Sequence, residues 1–311
     1  MAPGKFVDPK VTADGSRRAV VTAGAMDTLW FNTGTLCNLA CASCYIESSP
    51  TNDALQYLAA TDVSRFLDEI GASQDARISG LGEIGFTGGE PFMNPDFLKM
   101  LGDTLDRGFR ALVLTNAMKP MQRDREALLA LRQRHGGRLV LRVSIDHYSC
   151  PVHEGERGRN SWTPMLEGLK WLSDAGFSIA VAGRHLASER MDVAREGYAT
   201  LFRREGIAID AFDMQKLVLF PEMDESADVA EITEACWGIL GKSPADVMCA
   251  SSRMVIHRKG EATPRVAACT LLPFDPRFDL GATLTEALQP VPLNHPHCAR
   301  FCVLGGASCS A

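Results

Sequence analysis

Three cysteines stand within eight residues in Thr35-Leu36-Cys37-Asn38-Leu39-Ala40-Cys41-Ala42-Ser43-Cys44-Tyr45. Spacings of three and then two residues let one loop wrap three thiolates around a soft metal centre, and thiolates select zinc, Cu(I) or an iron–sulfur cluster. A closed zinc or cluster site takes four ligands. Three local ones imply either a distant fourth or a metal position left open for another molecule. Five more cysteines, Cys249, Cys269, Cys298, Cys302 and Cys309, crowd the C-terminal part of the chain, while Cys150 and Cys236 stand alone.

These thiols need a scaffold, and the alternation of short apolar runs with longer periodic segments describes one. Candidate strands are Thr28–Thr33, Glu83–Phe86, Ala111–Leu114, Leu139–Ser144, Ser178–Ala182 and Ile209–Asp213. Between them, Asp62–Ile70, Asp96–Arg107, Asp124–Arg134, Trp162–Ala175 and Met191–Arg203 carry apolar residues at three- and four-residue spacing, as in Phe97, Met100, Leu101 and Leu105. Strands alternating with helices predict parallel strands joined by crossovers, an α/β sheet or barrel with its functional groups where strands end. After Lys216 the rhythm changes to a predicted helix at Val229–Leu240 and a strand-turn stretch, Met248–Cys269, turning at Lys259-Gly260. The tail from Pro290 is rich in Pro, Gly and Cys and needs a staple to fold.

Composition narrows the classes. The chain has 311 residues, 46% apolar and 23% charged, which is the make-up of a folded globule with room for one large domain and a smaller one. A net charge of −6 supplies no basic field for a phosphate backbone or an anionic membrane, so no nucleic-acid or membrane partner is expected. The N-terminus lacks a signal-peptide apolar core and no stretch reaches the ~18 apolar residues of a membrane span. A cytoplasmic location follows as the expectation, where thiols stay reduced and clustered cysteines bind metal.

The loop Cys37-x3-Cys41-x2-Cys44 resembles the signature of the radical S-adenosylmethionine (radical SAM) superfamily. A second feature ends the second predicted strand: Phe86-Thr87-Gly88-Gly89-Glu90-Pro91 is similar to the superfamily's Gly-Gly-Glu-Pro motif, whose backbone binds the amino group of SAM. A Gly-rich turn capping a helix is the plain alternative, but it does not require four matching residues at a strand end. Looser matches follow. Thr115-Asn116-Ala117 resembles Thr-Asn-Gly with alanine replacing glycine, and Ser144-Ile145-Asp146 resembles Ser-Leu-Asp-Gly, a motif whose serine and neighbouring groups contact the ribose or carboxylate. Arg184, beyond the fifth strand, is placed to pair with that carboxylate; the alternative for each is a turn residue or a surface ion pair. His153, Arg157 and Gly158 resemble a His-x3-Arg-Gly stretch found in peptide- and tetrapyrrole-modifying members. One departure is Ser43, where relatives carry an aromatic residue; Tyr45 is the nearest ring for an adenine wall.

The resemblance implies a partial (β/α)6 TIM-type barrel over 28–220, preceded by an extension at 1–27 and followed by a small Cys-rich α+β domain at 221–311. It implies a [4Fe–4S] cluster on Cys37, Cys41 and Cys44, with SAM bound through Tyr45, Gly88, Gly89, Glu90, Pro91, Asn116, Ser144 and Arg184. It further implies an electron donor such as flavodoxin or ferredoxin, and reductive cleavage of SAM to a 5′-deoxyadenosyl radical that takes hydrogen from a substrate. The tail resembles the SPASM extension or its shorter twitch form, although Gly260 lies nine residues before Cys269 where the pattern has five. That likeness implies an auxiliary [4Fe–4S] or [2Fe–2S] cluster on four of the five tail cysteines, first of all Cys249, Cys269, Cys298 and Cys302, with Cys309 able to replace any of them. A zinc site or packed thiols are the alternative. His257 and His297 are expected to face solvent, with metal ligation the alternative, Cys236 to lie in the core, and Cys150 to reach the substrate side as a hydrogen donor or to be an inert thiol. The substrate is expected to be a small molecule or short peptide, because 27 residues before the first predicted strand leave little room for a leader-binding domain. A peptide-modifying maturase is the alternative, and a non-catalytic zinc or iron–sulfur binding module the reading from another class.

Overall fold

The computed structural model describes residues 4–222 and 228–306, so Cys309 lies outside the described residues. Six apolar runs form the parallel strands β1 (Thr28–Asn32), β2 (Glu83–Thr87), β3 (Arg110–Thr115), β4 (Leu139–Ser144), β5 (Ser178–His185) and β6 (Leu217–Pro221). They lie side by side in chain order, in registers such as Phe31↔Phe86, Phe86↔Val113, Val113↔Leu141 and Val181↔Leu217. All five residues of β1 are buried, as befits a parallel strand covered on both faces. The sheet extends past β1 through β7 (Ser252–Ile256), parallel to it, and β8 (Arg265–Ala267), antiparallel to β7. The first and last strands are not paired to each other, so the architecture is an open α/β partial barrel.

The crossovers are helical: α1 (Ala60–Ala72), α2 (Phe97–Asp106), α3 (Arg125–His135), α4 (Cys150–Arg157), α5 (Trp162–Asp174) and α6 (Met191–Glu205). Each of the longer ones buries one stripe, such as Val63, Phe66, Leu67 and Ile70 on α1 or Met165, Leu166, Leu169 and Leu172 on α5. The helix α4 has no counterpart among the predicted segments. It is short, and only His153 on it is fully buried, so it shows little apolar periodicity.

Two expectations fail, each for a local reason. The stretch Ile209–Asp213 is turn and irregular, and the sixth strand lies further on at Leu217–Pro221. Asp210 and Asp213 accept hydrogen bonds from the backbone N–H of Phe212 and Gln215, which favours turns over a ladder. The run Leu217-Val218-Leu219-Phe220 is left to pair with β5. Of the helix expected over Val229–Leu240, only Cys236–Leu240 forms. Upstream, Ala19 N–H donates to Ile232 O, and Glu231 accepts from the N–H groups of Phe6 and Ala13 and from the buried Arg18 guanidinium. Docking against the N-terminal extension holds this segment extended, with Cys236 half-buried at its end. The tail is fastened similarly: Val291–Pro292 pairs antiparallel with Val20–Val21, and Cys298–Leu304 forms one π-helical segment.

Candidate active site

The cysteine loop leaves β1 and is stitched to the end of β2. Gly89 N–H donates to Gly34 O (2.8 Å) and Glu90 N–H to Leu36 O (3.2 Å), both just ahead of Cys37. This contact explains the paired glycines. A Cβ on Gly89 would lie 2.1 Å from Leu36 O, and one on Gly88, whose φ is +135°, would lie 2.6 Å from Gly34 O. With those N–H groups already used, the loop has carbonyl oxygens to offer an ammonium group.

Glu90 acts behind the loop. It is buried, accepts from Thr115 Oγ1 (2.8 Å) and Asn116 N (2.8 Å), and ties the end of β2 to the end of β3. Burial pushes its carboxyl up to about 7 against these donors, which act to lower it. Glu90 and Pro91 do not line the cavity described next. The missing glycine after Asn116 has a visible consequence: Ala117 sits at φ +57°, the left-handed region glycine adopts freely, and is wholly buried.

Strand ends β2 to β6 and the cysteine loop enclose one cavity. It brings together Cys37, Cys41, Cys44, Tyr45, Gly88, Gly89, Asn116, Ser144 and Arg184, nine residues the sequence had singled out. Cys150 is not among its lining residues. The chain turns away at His147–Ser149, and Cys150 becomes the first residue of α4. Sequence reasoning quoted Asp146 only inside the Ser144 motif and Arg157 only in a loose one, and both line the cavity. Arg157 Nε donates to Asp146 Oδ2 at 2.8 Å, and Arg184 Nη2 lies 3.8 Å from Asp146 Oδ1. Burial raises the Asp146 carboxyl, but the two guanidinium groups outweigh it and hold the pKa below its ordinary value. The Thr-Asn and Ser-x-Asp strand ends could have flagged Asp146; Arg157 had only a loose motif.

The three thiols fit a shared metal group. Burial pushes the Cys37 thiol up to about 12 and raises that of Cys41, the cost of holding thiolates here without a compensating cation. Backbone N–H groups of Leu39 and Ser48 approach the sulfurs of Cys37 and Cys44 at 3.4 Å, as donors to anionic sulfur would. Arg184 Nε is buried with no partner among the described residues, which fits a carboxylate of a ligand in the cavity.

A second, smaller cavity lies behind the first. Cys249, Cys269, Cys298 and Cys302 all line it, within a wall of Val247, Leu272, Phe278 and Leu293. Burial raises the Cys298 thiol well above its ordinary value, and Cys269, Cys249 and Cys302 add to the rise. His297 also lines this cavity and is 4% exposed, so the expectation that it faces solvent is corrected; it follows the turn into the π-helical segment that buries Cys298. His257, half-buried, bonds to Glu261 O. Among the described residues no three His, Cys, Asp or Glu side chains converge as a ligand set for a single ion. The donor set nevertheless fits an anionic thiolate group. Arg253, 1% exposed, gives its Nε and Nη1 to carbonyl oxygens of Ala287, Cys249 and Ser252 and leaves Nη2 without a partner among the described residues. Burial lowers its pKa, while Cys249 and Cys269 raise it. Leu271 lines both cavities, and Phe301, between Cys298 and Cys302, reaches the first cavity to stack on Phe220 (5.5 Å, 25°).

A parallel partial barrel with three cysteines after its first strand and a Gly-Gly-Glu-Pro turn after its second is the architecture of one enzyme class. Residues 31–187 match the family model of the radical SAM superfamily, and the chain belongs to that superfamily. Membership implies a [4Fe–4S] cluster and SAM. The chain is similar to AlbA of Bacillus subtilis (strain 168), an antilisterial bacteriocin subtilosin biosynthesis protein, at 28% identity over 173 residues, covering 54% of this chain and 36% of AlbA. In fold it resembles SuiB of Streptococcus suis bound to S-adenosylmethionine (TM-score 0.58, 11% identity, 83% of this chain and 63% of that one). It likewise resembles SuiB bound to precursor peptide SuiA (TM-score 0.56, 12% identity, 86% and 64%). The chain thus spans about a third of AlbA and under two thirds of SuiB. No helix among the described residues is long and apolar enough to cross a membrane.

Proposed function

We propose that this chain is a peptide-modifying radical SAM enzyme with one auxiliary cluster. The observation that carries the catalytic part is the single cavity joining Cys37, Cys41 and Cys44 to Gly88–Gly89, Asn116, Ser144 and Arg184. When bound, the cluster and SAM supply a 5′-deoxyadenosyl radical able to take hydrogen from an unactivated carbon. The chain's part is placement. Arg184, with its unpartnered Nε, holds the SAM carboxylate, and the Gly88–Gly89 carbonyls accept from its ammonium. Asn116 and Ser144 hold the ribose side, and Tyr45 supplies an adenine wall. Leu271, Phe220 and Phe301 exclude water from the far side of the cavity, which protects a radical from quenching. An electron reaches the cysteine loop from a flavodoxin- or ferredoxin-type donor in the cytoplasm.

The peptide substrate is favoured by the similar proteins, AlbA with its part in bacteriocin biosynthesis and SuiB with its bound precursor peptide. The auxiliary cluster is favoured by Arg253, whose buried charge meets no carboxylate among its bonded partners and lies beside Cys249 and Cys269. The test is anaerobic reconstitution with iron and sulfide, then incubation with SAM, reductant and the short peptides encoded beside the gene. The expected outcome is 5′-deoxyadenosine formed in step with a mass change in one peptide. Formation of 5′-deoxyadenosine without any peptide change, but with turnover of a small molecule, would replace the substrate reading. No 5′-deoxyadenosine under any condition would remove the catalytic one.

A further inference from the structure

Two sequence features remain without a role after this assignment: Ser43, standing where relatives have an aromatic residue, and the His-x3-Arg stretch that ends at Arg157. The structure puts them in contact. The last turn of α4 lies against the cysteine loop: Ala42 N–H donates to Glu156 O at 2.8 Å, and the Ser43 hydroxyl donates to Glu156 Oε2. A phenylalanine at 43 would have no group to make the second bond, and a tyrosine or tryptophan would carry its donor well beyond the position of the Ser43 hydroxyl. The next residue, Arg157, lines the same cavity as Cys41 with its side chain 14% exposed.

The charges around Arg157 do not cancel. Asp146 is shared between Arg157 and Arg184, so two guanidinium groups face one carboxylate in the cavity wall, and one positive charge is left over beside the thiols. Glu156 does not neutralise it in the same surroundings, because it is half-exposed and turned towards Ser43. Glu90 lies on the Cys37 side, where its carboxyl is engaged by Thr115 and Asn116. A fixed positive charge in a poorly solvated wall favours the more negative of two charge states of any group beside it. For an iron–sulfur cluster, net charge and nearby dipoles are among the determinants of reduction potential.

We propose that the Glu156–Arg157 turn of α4 is an electrostatic clamp on the cluster loop: Glu156 fixes Ala42 and Ser43 in place, and Arg157 sets the ease of reduction of the group that Cys41 helps to hold. The proposal rests on superfamily membership and is independent of the peptide reading. Both residues are positioning residues, since neither is asked to touch the reacting atoms.

The test uses the reconstituted holoprotein and an EPR-monitored redox titration of the signal that SAM perturbs. Arg157→Gln is expected to lower the midpoint potential, and Arg157→Lys to hold it near the wild-type value, because the charge survives while the fork is lost. Asp146→Asn removes the counter-charge and is expected to move the midpoint the opposite way, a reversal of sign that general damage to the fold would not produce. Ser43→Ala is expected to leave the midpoint close to wild type but speed iron loss to a chelator several-fold. The electrostatic role is overturned if Arg157→Gln and Arg157→Lys shift the potential equally, if neither shifts it, or if Asp146→Asn moves it in the same direction as Arg157→Gln. The clamping role of Glu156 is overturned if Ser43→Ala and Glu156→Ala retain iron as well as the wild type.

Discussion

The two thiol sites of this molecule are built in opposite ways. The first takes three cysteines from one loop of eight residues and surrounds them with polar groups, Asn116, Ser144, Asp146 and Arg184 at strand ends and Arg157 at the end of α4. The second gathers four cysteines from three separate segments and encloses them almost wholly in apolar side chains. The first has two guanidinium groups at hand, Arg157 and Arg184, facing the one carboxylate of Asp146, whereas the second has Arg253, which bonds to carbonyl oxygens. A polar, charged wall suits a site that must take in and orient a charged small molecule. A dry wall suits a group that is installed once and kept.

The largest effect that separates the two sites is removal of their ligands. Cys37→Ala/Cys41→Ala/Cys44→Ala is expected to abolish 5′-deoxyadenosine formation, while Cys298→Ala removes one cluster's worth of iron per chain, about four for a [4Fe–4S] or about two for a [2Fe–2S] cluster, and leaves SAM cleavage without substrate measurable. Iron analysis together with the 5′-deoxyadenosine assay checks both halves; equal loss of SAM cleavage in the two variants would erase the distinction. Next comes the stitch under the first site. Gly89→Ala places a Cβ 2.1 Å from Leu36 O, backbone that cannot swing aside, and is expected to cost about 1–3 kcal/mol and the ability to hold the first cluster. Thermal melts of the metal-free protein and iron content after reconstitution would show it, with tail iron retained.

A third difference is one of pH. Burial raises the Glu90 carboxyl from its ordinary 4.5 to about 7, so the folded chain binds this proton more tightly than the unfolded chain. Its contribution to stability is therefore complete below about pH 4.5 and lost as pH rises through 7, amounting to about 3 kcal/mol over that window. Melting temperatures of the metal-free protein between pH 5 and pH 8 should carry this slope. Glu90→Gln should flatten it, and Cys298→Ala should leave it unchanged. The smallest effect is expected at the shared wall. Phe301→Ala removes the stack on Phe220, a contact of about 0.5–1.5 kcal/mol, and should raise the substrate KM a few-fold while both clusters and SAM cleavage without substrate persist. An unchanged KM would mean that the tail contributes nothing to the first cavity.

The two sites were also unequally legible. Cys37, Cys41 and Cys44 declare themselves because local spacing alone brings them together, and Gly88-Gly89 because a close backbone approach admits only glycine. Five of the six barrel strands were readable from their apolar runs. The sixth was displaced because Asp210 and Asp213 capture nearby N–H groups, a competition that composition does not display. Arg157 was barely visible, since its partner Asp146 and its cavity neighbour Cys41 belong to other segments of the chain and α4 lacks an apolar stripe. Cys150, expected either as a hydrogen donor on the substrate side or as an inert thiol, follows the turn at His147–Ser149 and is not among the residues lining the cavity.

Motif chemistry and the succession of strands follow from short-range rules: side-chain type, spacing of a few residues, and the period of the apolar pattern. They were enough for the superfamily, the barrel and the loop that carries three cysteines. Which of the distant groups meet was decided by the folded chain. Pairing of β7 beside β1 and of Val291–Pro292 with Val20–Val21 brings the tail thiols behind the cavity and puts Phe301 in its wall. Burial then fixes how each charged group behaves, because the cost of a charge depends on the solvent and partners left to it. Arg253 stands in no motif of the sequence, and the motifs that hold Glu90 and Arg157 say nothing of their burial; the surroundings of all three come from where the fold leaves them.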